Sequence, residues 1–220
     1  MPKLGMEPIR RSEAINATLE CIYESGIDGL TLDMVAEKAG FSKGIVAYYF
    51  KSKRNLVLES LKQFLAAYSL KISTSIKEGM NPLDMVKTIV EVSLPVLSSK
   101  DDKTINVSTL EGAEKIRLPQ ERIAKIFIQF ISMASNDDEL KDIMRQTYEN
   151  DVEGISLLVQ NAKKVYSVNE LKEKNAAYAI LAMIYGLSFF RINQFMPFGE
   201  ADNRNIAFEF IDRLFGTSKT

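Results

Sequence analysis

Between Lys38 and Leu58 the chain carries five Lys or Arg and no Asp or Glu, in a 220-residue protein whose formal net charge is -1. The five are Lys38, Lys43, Lys51, Lys53 and Arg54, with Ser42, Tyr48 and Tyr49 among them. Cations at this density pair with phosphate oxygens and release counterions, while hydroxyls and helix-terminal N–H groups position a phosphate backbone. Ser42 has two compatible roles, because a hydroxyl at a helix N-terminus can cap the helix and can also bond a phosphate oxygen. The chemistry on offer is local recognition of duplex DNA. A near-neutral chain is not built to coat nucleic acid along its whole surface. A solvated basic corner with no partner is the plainer alternative that the patch alone leaves open.

Two short helical patterns must hold these groups. Thr31 is a good N-cap for Leu32 to Lys38 or Ala39, and Gly40 permits the sharp turn after it. Ser42 then opens a helix over Lys43–Phe50. Leu32, Val35, Ala36 and Ala39 are the inward positions of the first helix, and Ile45, Val46 and Phe50 those of the second. Ser42, Lys43, Gly44, Tyr48 and Tyr49 remain for the outer face and its ends. A helix-turn-helix needs a small residue at the turn, an apolar wedge and a polar face on its second helix.

The remaining sequence reads as helical nearly throughout, so the expected fold is all-α. Met1–Pro8 is a loose arm. A first helix runs from Ile9 or Arg10 to Ser25, with Gly26 ending it and Cys21 inside it as a small buried hydrophobe. A long helix spans Lys53 to about Glu78. Asn81-Pro82 opens one to about Ser98, followed by a polar stretch over Ser99–Asn106 and a short helical piece near Val107–Lys115. Helices near 119–135, 136–164, 171–195 and 202–215 complete the chain, with a break at Ser167–Glu170 and a stop at Pro197 and Gly199. The expected division is an arm over 1–8, a DNA-binding domain over 9–52 and a helical domain over 53–220.

The chain has no histidine and one cysteine. That removes serine-histidine triads, histidine- or thiolate-based metal sites and the commonest general base. No P-loop or dinucleotide fingerprint is present. No enzyme activity, cofactor or metal is expected. No secretory signal is read at the N-terminus, which points to a cytoplasmic protein. The apolar run within Asn175–Ile192 is short for a membrane span and is flanked by Lys172, Lys174 and Arg191.

Arg11, Ile15, Ala17, Gly26, Thr31, Val35-Ala36, Ala39-Gly40, Ser42, Gly44, Tyr49-Phe50, Lys53 and Leu56 together resemble the N-terminal signature of the tetracycline-repressor (TetR) family. The resemblance covers about Arg10 to Val57. It implies three N-terminal helices that bind DNA and a larger C-terminal part that dimerises and holds an effector pocket. It also implies roles. Lys43 and Gly44 would lie at the start of the recognition helix by the groove, and Tyr48, Tyr49 and Thr31 would touch phosphates. Lys53 would clamp the backbone from the fourth helix. Many members carry an aromatic residue where this chain has Ala47, which leaves Ala47 or Ile45 for a thymine methyl. Ile180–Arg191 is similar to the matching helix in members close to the betaine-pathway repressor.

In the C-terminal half, apolar positions of Asp137–Lys164 recur at three-four spacing, and Ala179, Ala182 and Gly186 form a small-residue strip. In the family the last two long helices pair across a two-fold axis. Ile155, Leu158, Val159, Ala182, Gly186 and Phe189 are the expected dimer contacts. Tyr68, Phe127, Phe130, Met133, Met144 and Tyr148, beside Phe64, are at helical spacing more often core than pocket, yet such material would line an effector cavity, with Arg117, Gln129 and Gln146 as orienting groups. The leading reading is a homodimeric regulator, most often a repressor, released from a near-palindromic operator by an uncharged or amphipathic organic effector. A DNA-binding protein without a small-molecule switch is the second reading, and an enzyme in the C-terminal part a distant third.

Overall fold

The computed structural model describes residues 7–95, 106–108, 115–168, 170–195 and 203–217. Most of the expected N-terminal arm, the polar stretch over 99–105, the stop at Pro197 and Gly199 and the expected start at Asp202 lie outside the described residues. Among the described residues the fold is all-α apart from one small ribbon. The helices are α1 (Glu7–Gly29), α2 (Leu32–Ala39), α3 (Lys43–Phe50), α4 (Lys53–Ser75), α5 (Pro82–Ser93), α6 (Gln120–Ala134), α7 (Asp138–Tyr166), α8 (Glu173–Ile192) and α9 (Asn203–Leu214).

Local chemistry explains most of these ends. The Thr31 hydroxyl accepts from the Met34 N–H at 3.2 Å and caps α2. Gly40 sits at φ 70°, which lets its N–H and that of Phe41 return to the Glu37 and Ala36 carbonyls at 3.1 and 2.8 Å. The Ser52 hydroxyl accepts from Asn55 N–H, and the Asp137 carboxylate from Leu140 N–H, at the starts of α4 and α7. Asn81 caps α5, and Pro82 occupies its first turn.

Three expectations need correction. Near Val107–Lys115 there is no helix among the described residues: Asn106–Ser108 (β1) pairs antiparallel with Lys115–Arg117 (β2), Val107 opposite Ile116. Residues 109–114 lie outside the described part. Ile116 and Leu118 are buried, which anchors the second strand. Helix α5 stops at Ser93 rather than Ser98, because Pro95 holds Leu94 extended at ψ 141°. Helix α4 stops at Ser75 rather than Glu78. Ser73, Thr74 and Ser75 are weak helix formers, and a turn closing Met80 N–H on the Lys77 carbonyl follows.

The chain packs as two compact units. The first holds α1–α3, most of α4, the ribbon, α6 and the start of α7. Its core runs from Ala14, Ile15, Leu19 and Ile22 of α1 through Val35, Val46 and Phe50 to Leu61, Phe64, Ile126 and Phe130. Cys21 is buried there, and burial pushes its thiol up, with Lys38 pulling back part of the way. The second unit packs Leu83, Val86 and Val90 of α5 against Val152, Ile155 and Val159 of α7, Ile180 and Ile184 of α8, and Ile211 of α9. Lys87 bonds Asp212 at 2.5 Å there, and Lys163 ties the α7–α8 turn by donating to the Leu171 carbonyl and the Glu173 carboxylate, both at 2.6 Å.

Gly26 breaks α1 at φ 75° and ψ 169°, a backbone region essentially reserved for glycine. A Cβ added there would stand 3.0 Å from Gln129 Oε1, which also accepts the Ile27 N–H at 3.3 Å. Gly26→Ala is therefore expected to destabilise the protein by about 1–3 kcal/mol and to lower Tm by several degrees. Gly29→Ala is the control, because its Cβ would meet only Ser25 Cβ at an ordinary 3.8 Å. Equal melting of the two variants would refute the strain argument.

Candidate functional site

Helix α3 is eight residues long, and its inward stripe is Val46, Tyr49 and Phe50. That stripe leaves Ser42, Lys43, Gly44 and Tyr48 exposed. Tyr48 is 66% exposed and Tyr49 only 9%. The expected outer-face pair is thus split, since neighbouring residues on a helix point about 100° apart. The rings meet edge to face with centroids 5.3 Å apart. The Tyr49 hydroxyl is buried with no hydrogen-bond partner among the described residues. Arg11 donates to the Tyr49 carbonyl at 3.3 Å, lies 5.0 Å above the Phe50 ring and pairs with Glu59 at 3.6 Å, locking α1, α3 and α4 together.

Ser42 stands at the N-cap of α3 with no side-chain cap bond, while its carbonyl accepts from Ile45 and Val46. The N–H groups of the first turn and a free hydroxyl are therefore presented together, an arrangement suited to a phosphate. Gly44 has no internal packing reason: a Cβ there would meet nothing closer than Ser42 Oγ at 3.9 Å. A glycine inside a helix costs about 1 kcal/mol relative to alanine. What it supplies is room for close approach from outside.

Acidic side chains from elsewhere fold onto the basic island, which the local sequence did not reveal. Lys38 donates to both Glu24 oxygens at 2.8 Å, and Glu20 lies 3.9 Å away. Arg54 forks onto Asp137 at 3.0 and 3.1 Å and reaches Glu139 at 3.0 Å. The Arg54 guanidinium, helped by the Leu140 N–H, holds the Asp137 carboxyl below the usual range. Lys43 pairs with Asp33 at 2.7 Å, both exposed. Such a pair contributes little and exchanges readily for a phosphate. Lys53 donates to the Asp28 carbonyl at 3.0 Å. Thr31 serves its cap.

In the first unit Tyr68, Phe127 and Phe130 do come together around Phe64, with centroid distances of 5.7–6.4 Å. Phe64, Phe127 and Phe130 are buried against one another, as a packed core would be, while Tyr68 and Met133 are half-buried and Met144 is buried. Gln129 supports the Gly26 kink, and Gln146 bonds Asn150 on the surface at 3.2 Å. Lys71 is buried on α4. Burial pulls its amine below the usual lysine range, and the Glu121 charge offsets part of this.

In the second unit Tyr148 meets Tyr185 edge to face at 5.5 Å. One turn further along α7 lies Asp151, which sequence reading missed. Burial alone raises its carboxyl to about 6, and among the described residues no hydrogen bond or ion pair offsets this. A carboxylate interrupting the apolar stripe of Tyr148, Val152 and Ile155 was the available clue.

Of the expected dimer contacts, Ile155 and Val159 lie inside the second unit's own core and Leu158 packs against it. Ile155 and Val159 have almost no surface to offer a partner, whereas Leu158 is only half-buried. Leu157, 58% exposed, takes the outward position on α7 instead. On α8, Ala176, Ala177, Ile180, Leu181, Ile184 and Ser188 face inward, while Tyr178, Ala182 and Phe189 are exposed and Gly186 is half-exposed. Among the described residues α8 is the helix long and apolar enough to cross a membrane, but one face belongs to the core. Cβ atoms added at Gly154 or Gly186 would meet nothing within 4 Å among the described residues.

The family model for bacterial regulatory proteins of the tetR family matches residues 14–60, the segment that builds α1–α3 and the start of α4. The chain is 28% identical over 213 residues to the HTH-type transcriptional regulator BetI of Stenotrophomonas maltophilia, an alignment covering 96% of each. Among solved structures, a TetR transcription regulator from Haloarcula marismortui superposes with a TM-score of 0.71 at 15% identity, over 94% of this chain and 97% of that one. A structure from Saccharomonospora viridis, described as a transcriptional regulator in complex with choline, gives 0.74 at 13% identity over 94% and 95%. With an N-terminal helix-turn-helix matching in sequence and an all-helical body matching in fold, the chain belongs to the tetR family of bacterial regulatory proteins and is a DNA-binding transcriptional regulator.

Proposed function

We propose that this regulator is a cytoplasmic homodimeric repressor that leaves a near-palindromic operator when a small organic cation binds its C-terminal part. Residues 9–52 are the operator-reading head, and residues 53–220 serve dimerisation and effector binding. A single eight-residue recognition helix spans too few base pairs to be selective, so two heads about 34 Å apart along one face of the duplex are needed. The outward apolar faces of α7 and α8, with glycines at open positions, support pairing of two copies.

Asp151 carries the effector reading. A half-buried carboxylate without a counter-ion among the described residues, one turn along α7 from Tyr148, whose ring meets Tyr185, is matched by a cation with an apolar surround. This narrows the uncharged or amphipathic effector read from the sequence to one that carries a positive charge. Choline, the ligand of one structural neighbour, belongs to this chemical class. Coupling of about 1–3 kcal/mol would weaken operator binding roughly 5–150-fold, and operator would weaken effector binding by the same factor. Helix α4, which starts at Lys53, is the element proposed to carry the change to the head.

The test is release of labelled operator by quaternary ammonium compounds, choline first. Asp151→Asn should raise the concentration needed at least tenfold while leaving operator affinity unchanged. Release should also be weak below pH 6 and strengthen as the pH rises through about 6, because only the ionised carboxylate attracts a cation. The stability effect has the opposite slope. A carboxyl raised from 3.8 to about 6 keeps its proton in the folded state, so the fold loses stability as pH rises across that interval. Release that ignores both pH and Asp151→Asn would move the effector elsewhere. If no compound alters operator affinity, the switch-free reading replaces this one.

A further inference from the structure

A cavity of about 320 Å³ lies wholly within the first unit and has no part in the effector reading. Its walls come from α1 and α2 of the head and from the segment that leads from β2 into α6. Its floor is apolar, from Ala17, Leu19 and Ile126, all buried. Its polar walls carry a definite charge pattern. Glu20 is already neutralised by Arg122 at 2.9 Å and approached by Lys38 at 3.9 Å. Once that hub is paired, two cationic donors remain. The Arg122 Nε is buried and has no hydrogen-bond partner among the described residues, where a Glu121 carboxylate oxygen stands 3.9 Å away. The Arg117 guanidinium has no side-chain bond among the described residues, although its backbone N–H is fixed by Asn16 Oδ1 at 2.8 Å. Glu13, one turn before Asn16 on α1, lines the same cavity, exposed and likewise unpaired among the described residues.

We propose that this cavity is a second ligand site, for a small carboxylate that also carries a hydrogen-bond donor, such as an α-amino or α-hydroxy acid. The carboxylate would pair with the Arg117 guanidinium, and a small turn of the Arg122 side chain would bring its unbonded Nε onto the second oxygen. The ammonium or hydroxyl would face Glu13, and the carbon stem would rest on Ala17, Leu19 and Ile126. Glu13 makes the site selective. A dianion such as sulfate would meet its charge, and a bare carboxylate would leave it without a donor. Because the walls include α1, α2 and the start of α6, occupancy would cross-link the reading head to the helix packed behind it. The site and its test are independent of the effector proposed for Asp151.

The experiment is calorimetric titration of the full-length protein with glycine, glycolate, acetate and sulfate. Glycine and glycolate are expected to saturate in the millimolar range, with acetate at least tenfold weaker and sulfate weaker still. Arg117→Ala keeps the backbone bond to Asn16 and should weaken glycine and glycolate at least tenfold. Glu13→Gln should bring glycine toward the acetate level. Asp151→Asn should leave all four isotherms unchanged, so failure here is distinct from failure of the effector reading. No saturable binding of glycine or glycolate below about 50 mM, a free energy under about 2 kcal/mol, would overturn the proposal. So would unaltered binding by Arg117→Ala, equal binding of sulfate, or loss of glycine binding in Asp151→Asn.

Discussion

Leu157→Asp is expected to convert the protein to a folded monomer and to cut operator affinity on the order of 10³-fold. Leu157 is 58% exposed and lies outside the core of its own unit, so the substitution removes no internal packing. At a two-fold interface the same residue appears twice, and each copy would place an unpaired carboxylate against an apolar face. Loss of the dimer removes the second recognition helix from the complex. What remains is one half-site plus phosphate attraction, and the gap between specific and non-specific binding typically spans about 10³–10⁷. Gly186→Leu tests the outward side of α8 by size rather than charge, because nothing among the described residues fills the space beside it. Sedimentation at nanomolar concentration and anisotropy titration with the operator give the two readouts. A Leu157→Asp variant that stays dimeric would show that two copies meet through another surface. A monomer with undiminished affinity would remove the need for paired heads.

Gly44→Ala is expected to move stability and affinity in opposite directions. Alanine removes the penalty of a glycine inside α3, and its methyl meets open space, so the fold gains up to about 1 kcal/mol. The same methyl stands on the face where the duplex must approach closely, so operator binding should weaken at least tenfold. Lys43→Ala and Tyr48→Ala should each cost about 1–3 kcal/mol of binding with no loss of Tm, since Lys43 holds only an exposed pair with Asp33 and Tyr48 is largely free of the core. Tyr49→Phe is the contrast: it removes a buried, unbonded hydroxyl and should leave operator binding intact. Binding by the wild type should also fall steeply with salt, as phosphate contacts require. A Gly44→Ala variant with full affinity, or loss of binding in Tyr49→Phe alone, would show that a different face of α3 meets the DNA.

The elements were legible from the residues because their ends are set by neighbours a few positions away. Thr31 and Gly40 bound α2 and Asn81-Pro82 starts α5 through bonds that close within about five residues, and Gly26 breaks α1 by the backbone freedom of glycine itself. The same locality made the helix-turn-helix readable: a short capped helix, a glycine turn and a second short helix. The misses at Pro95, Ser75 and the β1–β2 ribbon were of two kinds. The first two were local cues given too little weight. The ribbon owes its form to pairing across the chain and to burial of Ile116 and Leu118, which no window of sequence displays.

What the sequence by itself determined, then, was the set of helices, the turn and the chemical types available on the reading head. The tertiary structure decided which of those groups remain free to act. It buried Tyr49 and exposed Tyr48, although their residue type is the same. It drew Ile155 and Val159 into a core and turned Leu157 outward. It brought Asp137 to Arg54 across 83 positions and left Asp151 without a counter-ion. Helix formation is governed by contacts within one or two turns, so sequence specifies it directly. Burial and charge pairing sum over residues far apart in the chain, and only the folded arrangement settles which polar groups are satisfied internally and which are left for a partner.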